Sequence, residues 1–321
     1  MTEAWLELEA HEIGDAAPGV RLLDLRAPGG GELPGFDAGA HVDVAVDDAL
    51  VRQYSLCNDP RERHRYLLAV ALAEPSRGGS RYLHERVVKG SRVRVGAPRN
   101  LFPLADVCAH SVLVAGGIGI TPLWAMVQSL ETAGASWELH YAARSREHAA
   151  LLGTIQTFAA RSRRGVLHCY FSREQPSRRI VLPALLSAAP AGTHFYGCAS
   201  PGLLADFQAA TAALPREQVH LERFESTRQA ATAANYQVVL ARSGLSIEVT
   251  TGQTVLDAVL AAGVSARYTC REGICGECET VVLEGVPDHR DEVLSEQERA
   301  ANGSMMICCS GCRSGRLVLD L

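Results

Sequence analysis

Six of the ten cysteines in this 321-residue chain fall in its last stretch, at Cys270, Cys275, Cys278, Cys308, Cys309 and Cys312. The other four stand singly, at Cys57, Cys108, Cys169 and Cys198. The N-terminus, MTEAWLELEAHEIGD, is acidic and lacks the basic start and apolar run of a secretory signal, so a disulfide framework is not the expectation. Thiols crowded together under reducing conditions are ligands or catalytic groups, and the segment that carries them is expected to fold around what they hold.

Their spacing narrows the choice. Cys270-x4-Cys275-x2-Cys278, with Cys308 after a further 29 residues, supplies four thiolates in the plant-type spacing of a 2Fe-2S cluster. Three cysteines on one tight loop wrap the cluster, and the fourth returns from a distant segment to close it. Gly273 and Gly276 leave room for backbone amides to turn toward the sulfur atoms. A zinc site built from two knuckles, Cys275-x2-Cys278 and Cys309-x2-Cys312, is the competing reading. It leaves Cys270, Cys308 and the x4 interval without a role, so Cys309 and Cys312 are read as bystanders.

The rest of the chain divides by rhythm. From residue 20 to about 97, short alternating runs (GVRLLDLRA, AHVDVAVDD, YLLAVALA, SRVRVGA) are cut by Gly, Pro and Asp, which predicts a small antiparallel sheet or barrel. Between about 111 and 224, apolar strands such as SVLVAGG, WELHYAA and VLHCYFS alternate with helical segments, the pattern of an α/β domain with a parallel sheet. STRQAATAAN reads as a linker. After it come a hairpin, YQVVLARSGLSIEVTTG, a helix, QTVLDAVLAAG, the cysteine loop and a closing strand, GRLVLDL. The expected boundaries are 1–104, 105–225, a linker over 226–236, and 237–321. Residues 237–321 hold 7 Arg against 12 Asp or Glu, so the whole net charge of −5 belongs to them and the remainder is neutral. An acidic tail on a neutral body argues against nucleic acid and suits a basic protein partner, and Glu277, Glu279, Asp288, Asp291 and Glu292, in or after the cluster loop, are expected to be exposed and to steer its docking. No apolar stretch approaches the roughly 18 residues of a membrane span, and a soluble cytoplasmic protein is expected.

Five further motifs carry chemistry. In SVLVAGGIGITPL, residues 111–123, a strand runs into Gly116, Gly117 and Gly119, with Thr121 and Pro122 expected as N-cap and first position of a helix. Such a turn seats a pyrophosphate, although the third glycine of the dinucleotide fingerprint is missing and a ligand-free tight turn is the alternative. Tyr196-Gly197-Cys198-Ala199-Ser200-Pro201 ends a later strand, which would bring both turns to one sheet edge. In the first domain, Arg52-Gln53-Tyr54-Ser55 offers a ring to stack and a hydroxyl, and Arg77-Gly78-Gly79-Ser80 enters a helix as a seat for one phosphate. After WELHYAA stand Arg144, Ser145 and Arg146, able to meet a 2′-phosphate, with no acid in the run to bond a ribose hydroxyl.

These motifs, in this order, resemble the phthalate dioxygenase reductase family, and more broadly the ferredoxin-NADP reductase superfamily with a ferredoxin fused at the C-terminus, over residues 5 to 321. The resemblance implies an FMN-binding antiparallel β-barrel, an NAD-binding α/β domain and an α+β ferredoxin domain of β-grasp type. Arg52, Tyr54 and Ser55 then fill the R-x-Y-S flavin motif, and Gly78, Gly79 and Ser80 hold the flavin phosphate. Gly116, Gly117, Gly119 and Thr121 face the dinucleotide, Arg144 its far end, and Phe224 lies against the flavin. Ser55 and Cys198, the latter near the nicotinamide ring, are the residues assigned to the reaction, and Cys270, Cys275, Cys278 and Cys308 ligate the cluster. Ala199 departs from the glycine many members have. Hydride carries two electrons and the cluster accepts one at a time, so a flavin stands between them. The implied activity is electron transfer from NADH, with NADPH open on account of the arginines, to a Rieske-type oxygenase. A haem monooxygenase or small acceptors such as quinones are the alternatives, and a non-enzymatic zinc or redox-sensing protein fits less well. No general base is required, and the histidines are expected to be surface or core residues.

Overall fold

The computed structural model describes residues 5–46, 50–76, 78–106, 109–174, 179–226 and 228–321, and Arg77 and Cys108 fall outside them. The chain forms two compact units, residues 1–222 and 223–321.

In the first unit, β1 (Trp5–Ala17), β2 (Val20–Arg26), β3 (His41–Ala45), β4 (Val51–Ser55), β5 (Tyr66–Ala71) and β6 (Arg92–Gly96) make one antiparallel sheet in the order β4-β3-β6-β1-β2-β5. Past β4, Cys57 N–H donates to Leu67 O at 3.0 Å and the Asn58 side-chain oxygen accepts from Leu67 N–H at 2.9 Å. These bonds join the two ends of the sheet and close it as a barrel, so no edge is left open there. Leu8, Leu23, Leu25, Leu68 and Val95 fill its interior.

The same unit continues with β7 (His110–Gly116), β8 (Ser136–Ala143), β9 (Gly165–Phe171), β10 (His194–Cys198) and β11 (Val219–Glu222), an all-parallel sheet ordered β11-β10-β7-β8-β9. The helix Ile120–Ala133 buries Leu123, Met126 and Val127 in a core shared with Leu113, Leu139 and Tyr141. On the opposite face Leu182 and Phe207, from two later helices, cover Val112, Val114 and Phe195. Strand order reverses between β7 and β10, and the crevice at their carboxyl ends is where open α/β sheets bind ligands.

The second unit has β12 (Tyr236–Leu240), β13 (Leu245–Val249), β14 (Glu279–Glu284), β15 (Pro287–Asp288), β16 (Ser304–Met306), β17 (Gly311–Cys312) and β18 (Arg316–Leu319). Five strands form a mixed sheet ordered β13-β12-β18-β14-β16, with β12 and β18 parallel, and β15 pairs with β17 separately. The helix Val255–Ala261 packs Val255, Leu256 and Val259 into this unit's core, which also contains Cys278, Cys308 and Cys309. Thr254 starts it with a capping box: its hydroxyl accepts from Asp257 N–H at 3.1 Å, while the Asp257 carboxylate accepts from Thr254 N–H at 3.2 Å. The segment before β12 has no regular structure yet is held to the unit, Ala231 N–H donating to Cys309 O and Thr251 N–H to Asn235 Oδ1. Among the described residues no helix is long and apolar enough to cross a membrane.

Candidate redox sites

The R-x-Y-S strand and the double glycine, 25 residues apart in sequence, meet in the barrel. A Cβ on Gly79 would run into the Arg52 side chain and lie 3.0 Å from the Tyr54 hydroxyl, and Gly78 sits at φ +101°. The two elements approach as only glycine allows. Ser55 is buried, and burial pushes the Tyr54 phenol up to about 12 against the opposing charge of Arg52, so its hydroxyl stays a neutral donor. Ser80 Oγ accepts from Ala73 N–H at 3.2 Å and lies 3.0 Å from Ser76 Oγ, so in this structure it braces the turn.

At the parallel sheet's carboxyl edge, Cys198 on β10 pairs in register with Ala115 on β7. A Cβ on Gly119 would collide with Cys198 O, and one on Gly116 would come within 2.6 Å of the Ala199 methyl. The departure at Ala199 is therefore accommodated across the crevice, because Gly116 has no side chain. Gly117 faces open space at φ +55°, a left-handed conformation. Thr121 corrects the expected cap: the helix begins at Ile120 after Gly119, and Thr121 lies inside the first turn with its hydroxyl donating to Ile118 O at 2.9 Å. Pro122 is then the third helical residue. It is tolerated there because first-turn N–H groups have no intrahelical acceptor.

Sequence reasoning passed over Glu222. The parallel register of β10 and β11 sets it beside Cys198, with Sγ 3.9 Å from Oε2. Burial raises the Glu222 carboxyl to about 8, and burial together with this carboxyl raises the Cys198 thiol, so both are protonated at neutral pH. The sequence signal was present in Glu222-Arg223-Phe224, but only strand order makes residues 198 and 222 neighbours. A second omission is Glu174, whose carboxylate accepts from Arg146 N–H. It supplies from the end of β9 the acid absent from the run 144–146. Arg144 is exposed, and the Arg146 guanidinium lies over the Phe171 ring at 5.0 Å. Phe224 belongs to the second unit and is 40% exposed.

The cysteine loop gathers its thiols. Cys275 and Cys308 lie against Cys270, and Cys308 also against Cys278, and these sulfur contacts favour the thiolate at Cys270 and Cys278, with Glu272 N–H donating to the Cys270 sulfur at 3.3 Å. The same contacts, with burial, raise the thiols of Cys275 and Cys308. Arg271, Gly273 and Gly276 all have positive φ, so the loop curls its amides inward. This donor set fits a 2Fe-2S cluster. Cys309 is also buried, its sulfur in the space a Gly273 side chain would need, whereas Cys312 lies on β17 with Sγ 3.5 Å from Ser314 Oγ. None of the nine described cysteines is in a disulfide. Residues 238–313 match the 2Fe-2S iron-sulfur cluster binding domain.

Over the full length, the chain is 49% identical to the phenoxybenzoate dioxygenase subunit beta of Ectopseudomonas oleovorans, covering 100% of this chain and 98% of that one. It is 42% identical to the tetrachlorobenzoquinone reductase of Sphingobium chlorophenolicum, with 98% of each covered. Among solved structures, phthalate dioxygenase reductase, described as modular for electron transfer from pyridine nucleotides to 2Fe-2S, matches with TM-score 0.76 at 33% identity over 99% of this chain and 98% of its own. The chain belongs to the phthalate dioxygenase reductase family. Family membership confirms the expected fold: a barrel and a parallel-sheet module followed by a ferredoxin domain. A self-sufficient cytochrome P450 monooxygenase also matches, with TM-score 0.83 at 40% identity over 99% of this chain, which spans only 41% of that protein's length.

One expectation about charge needs correction. Of the carboxylates in and after the cluster loop, Asp291 is wholly buried and accepts from Val293 N–H at 3.0 Å and Leu294 N–H at 2.7 Å. Glu292 lies within 3.8 Å of both Arg223 and Arg228, and Asp288 is paired with Arg290 and Arg313. Asp291 and Glu292 instead back the loop, Glu292 N–H donating to Gly273 O at 2.8 Å. Sequence proximity put five acids near the cluster, and the fold turned three of them inward or neutralised them.

Proposed function

We propose that this chain is the reductase component of an oxygenase system, taking electrons from NADH and delivering them through FMN and a 2Fe-2S cluster to a Rieske-type oxygenase. The observation that carries this reading is the four-thiol loop on the same chain as two glycine-cradled sites. FMN, when bound, accepts the two electrons of hydride and releases them singly. Arg52, Tyr54 and Ser55 with Gly78 and Gly79 are the residues that would hold it, and Ser80 is proposed to turn its hydroxyl from the loop to the phosphate. Gly116, Gly117 and Gly119 would take the dinucleotide, with Thr121 fixing the turn behind them. Cys198 is proposed to contact the nicotinamide, and Glu222 keeps that thiol protonated in a dry site.

The Glu174 carboxylate beside Arg146 supports NADH over NADPH, since it would repel a 2′-phosphate. Thiols left free support a reducing compartment, the cytoplasm. The relative that reduces tetrachlorobenzoquinone favours a second reading, direct reduction of quinones. Steady-state kinetics decide between them: kcat/KM with a purified Rieske oxygenase should exceed that with a substituted benzoquinone at least tenfold, and the reverse order would make the quinone the acceptor.

A further inference from the structure

The parallel sheet carries, over β8 and its edge strand β9, a cluster that the redox reading does not use. On one face, β7, β10 and the covering helices bury Val112, Val114, Phe195, Leu182 and Phe207. On the same face, two strands along, the register aligns Val114 with His140 and His140 with His168, while Glu138 pairs with Val112. Apolar residues give way there to imidazoles and a carboxylate, in strand interiors where β-branched side chains would pack best.

The Glu138 carboxylate is the centre of this cluster. His140 Nε2 lies 3.2 Å from Oε2, His168 Nε2 3.9 Å from the same oxygen, and His110 Nε2 3.5 Å from Oε1. The ligating atoms of Glu138, His140 and His168 all fall within 4.8 Å of one another. In a tetrahedral zinc site with bonds of roughly 2.0 to 2.1 Å, ligand atoms are separated by about 3.3 Å, so small side-chain rotations close the set. The surroundings also resemble those of a metal site. The Tyr170 hydroxyl is 2.9 Å from His140 Nδ1, and Ser136 Oγ is 2.7 Å from His110 Nδ1, so the far nitrogens of His140 and His110 are already held. His140 is buried, whereas Glu138 and His168 are 36% and 43% exposed, which leaves an approach from solvent and room for a water ligand.

We propose that Glu138, His140 and His168 bind one zinc ion on the open face of the parallel sheet, with His110 steadying the carboxylate from its other oxygen. Borderline-soft imidazole with a single carboxylate selects zinc over magnesium or calcium, which favour all-oxygen shells. The site spans β8 and β9, with His110 reaching in from the start of β7. Glu138, His140 and His168 lie in the interiors of these strands, before the carboxyl edge that carries Gly116 and Cys198. The site's role is therefore a clasp across the sheet, independent of electron transfer.

The test uses the full chain with its iron retained. After dialysis against a mild chelator, calorimetric titration with zinc chloride should show one zinc per chain at micromolar affinity or tighter, with iron content unchanged. His168→Ala, at an exposed position, and Glu138→Gln should each weaken binding by at least about tenfold, while NADH-dependent ferricyanide reduction stays at the parent rate as the check on folding. Zinc should raise the melting temperature of the parent and not of His168→Ala. Failure of the iron-retaining parent to bind zinc, or equal affinity in parent and both variants, overturns the site.

Discussion

Two loops in this protein are rich in glycine, and they differ in what demands it. At the carboxyl edge of the parallel sheet, Gly116 and Gly119 are required by protein alone, because Ala199 and Cys198 O occupy the space their side chains would need. In the cysteine loop, Cys309 Sγ likewise fills the space a Gly273 side chain would need, but Gly273 and Gly276 also have positive φ, and the curl they allow brings Cys270, Cys275, Cys278 and Cys308 toward one another. Protein packing does not call for four thiols brought together from a tight loop and a distant segment. A glycine motif records a close approach, whatever lies on the other side. A cysteine motif names its ligand through the chemistry of its side chains.

The largest expected effect tests the cysteine side of this comparison. Cys308→Ser removes the proposed ligand that returns from the distant segment, and reduction of cytochrome c or of a Rieske partner should fall by at least about a hundredfold, with loss of bound iron. NADH-dependent ferricyanide reduction should persist, because the residues proposed to hold flavin and nicotinamide all precede the cluster loop. Cys309→Ser should keep its iron. Loss of both activities with the flavin still bound would mean that the two halves do not work in series.

On the glycine side, Gly119→Ala and Gly117→Ala separate packing from conformation. The first forces a methyl into the Cys198 carbonyl and should cost about 3 kcal/mol of stability, by overpacking against backbone. The second adds a methyl in open space at positive φ and should cost about 1 kcal/mol. Chemical denaturation of the two variants measures both, and equal costs would refute the claim that packing accounts for Gly119.

A smaller, pH-dependent effect belongs to Glu222. Its folded carboxyl is raised to about 8 from 4.5, so between those values the folded chain keeps a proton that the unfolded chain has released. Its contribution to stability is therefore complete below pH 4.5, declines as pH rises through this window by at most about 1.4 kcal/mol per pH unit, and is lost above 8. Glu222→Gln should flatten this component of the stability profile, and thermal melts from pH 5 to 9 on parent and variant would show it. An unchanged profile would place the carboxylate in water and not against Cys198.

Much of the architecture was legible because it depends on local pattern. Alternation in GVRLLDLRA and AHVDVAVDD gave the barrel strands, the longer α/β rhythm gave the parallel sheet, and Cys270-x4-Cys275-x2-Cys278 gave the cluster loop. Thr121 was misplaced by two positions because a cap depends on where the chain leaves extended conformation, and Gly119 had already turned it. The five acids of the cluster region were counted as exposed because sequence shows charge and not its neighbours. Arg223, Arg228, Arg290 and Arg313 decided otherwise for two of them, and burial for Asp291.

By itself the sequence determined which chemistry was available: thiols spaced for a cluster, glycines where backbone must pass closely, and a rhythm that separates barrel from parallel sheet. Only the tertiary structure decided which distant groups meet. Cys198 faces Glu222, Ala199 fits because Gly116 is bare, Glu174 reaches the Arg146 turn, and three histidines from three strands converge on Glu138. The reason is that strand order and register are set by the whole core. In a sheet, one residue of register sends a side chain to the opposite face, and no local pattern records which strand will lie beside it.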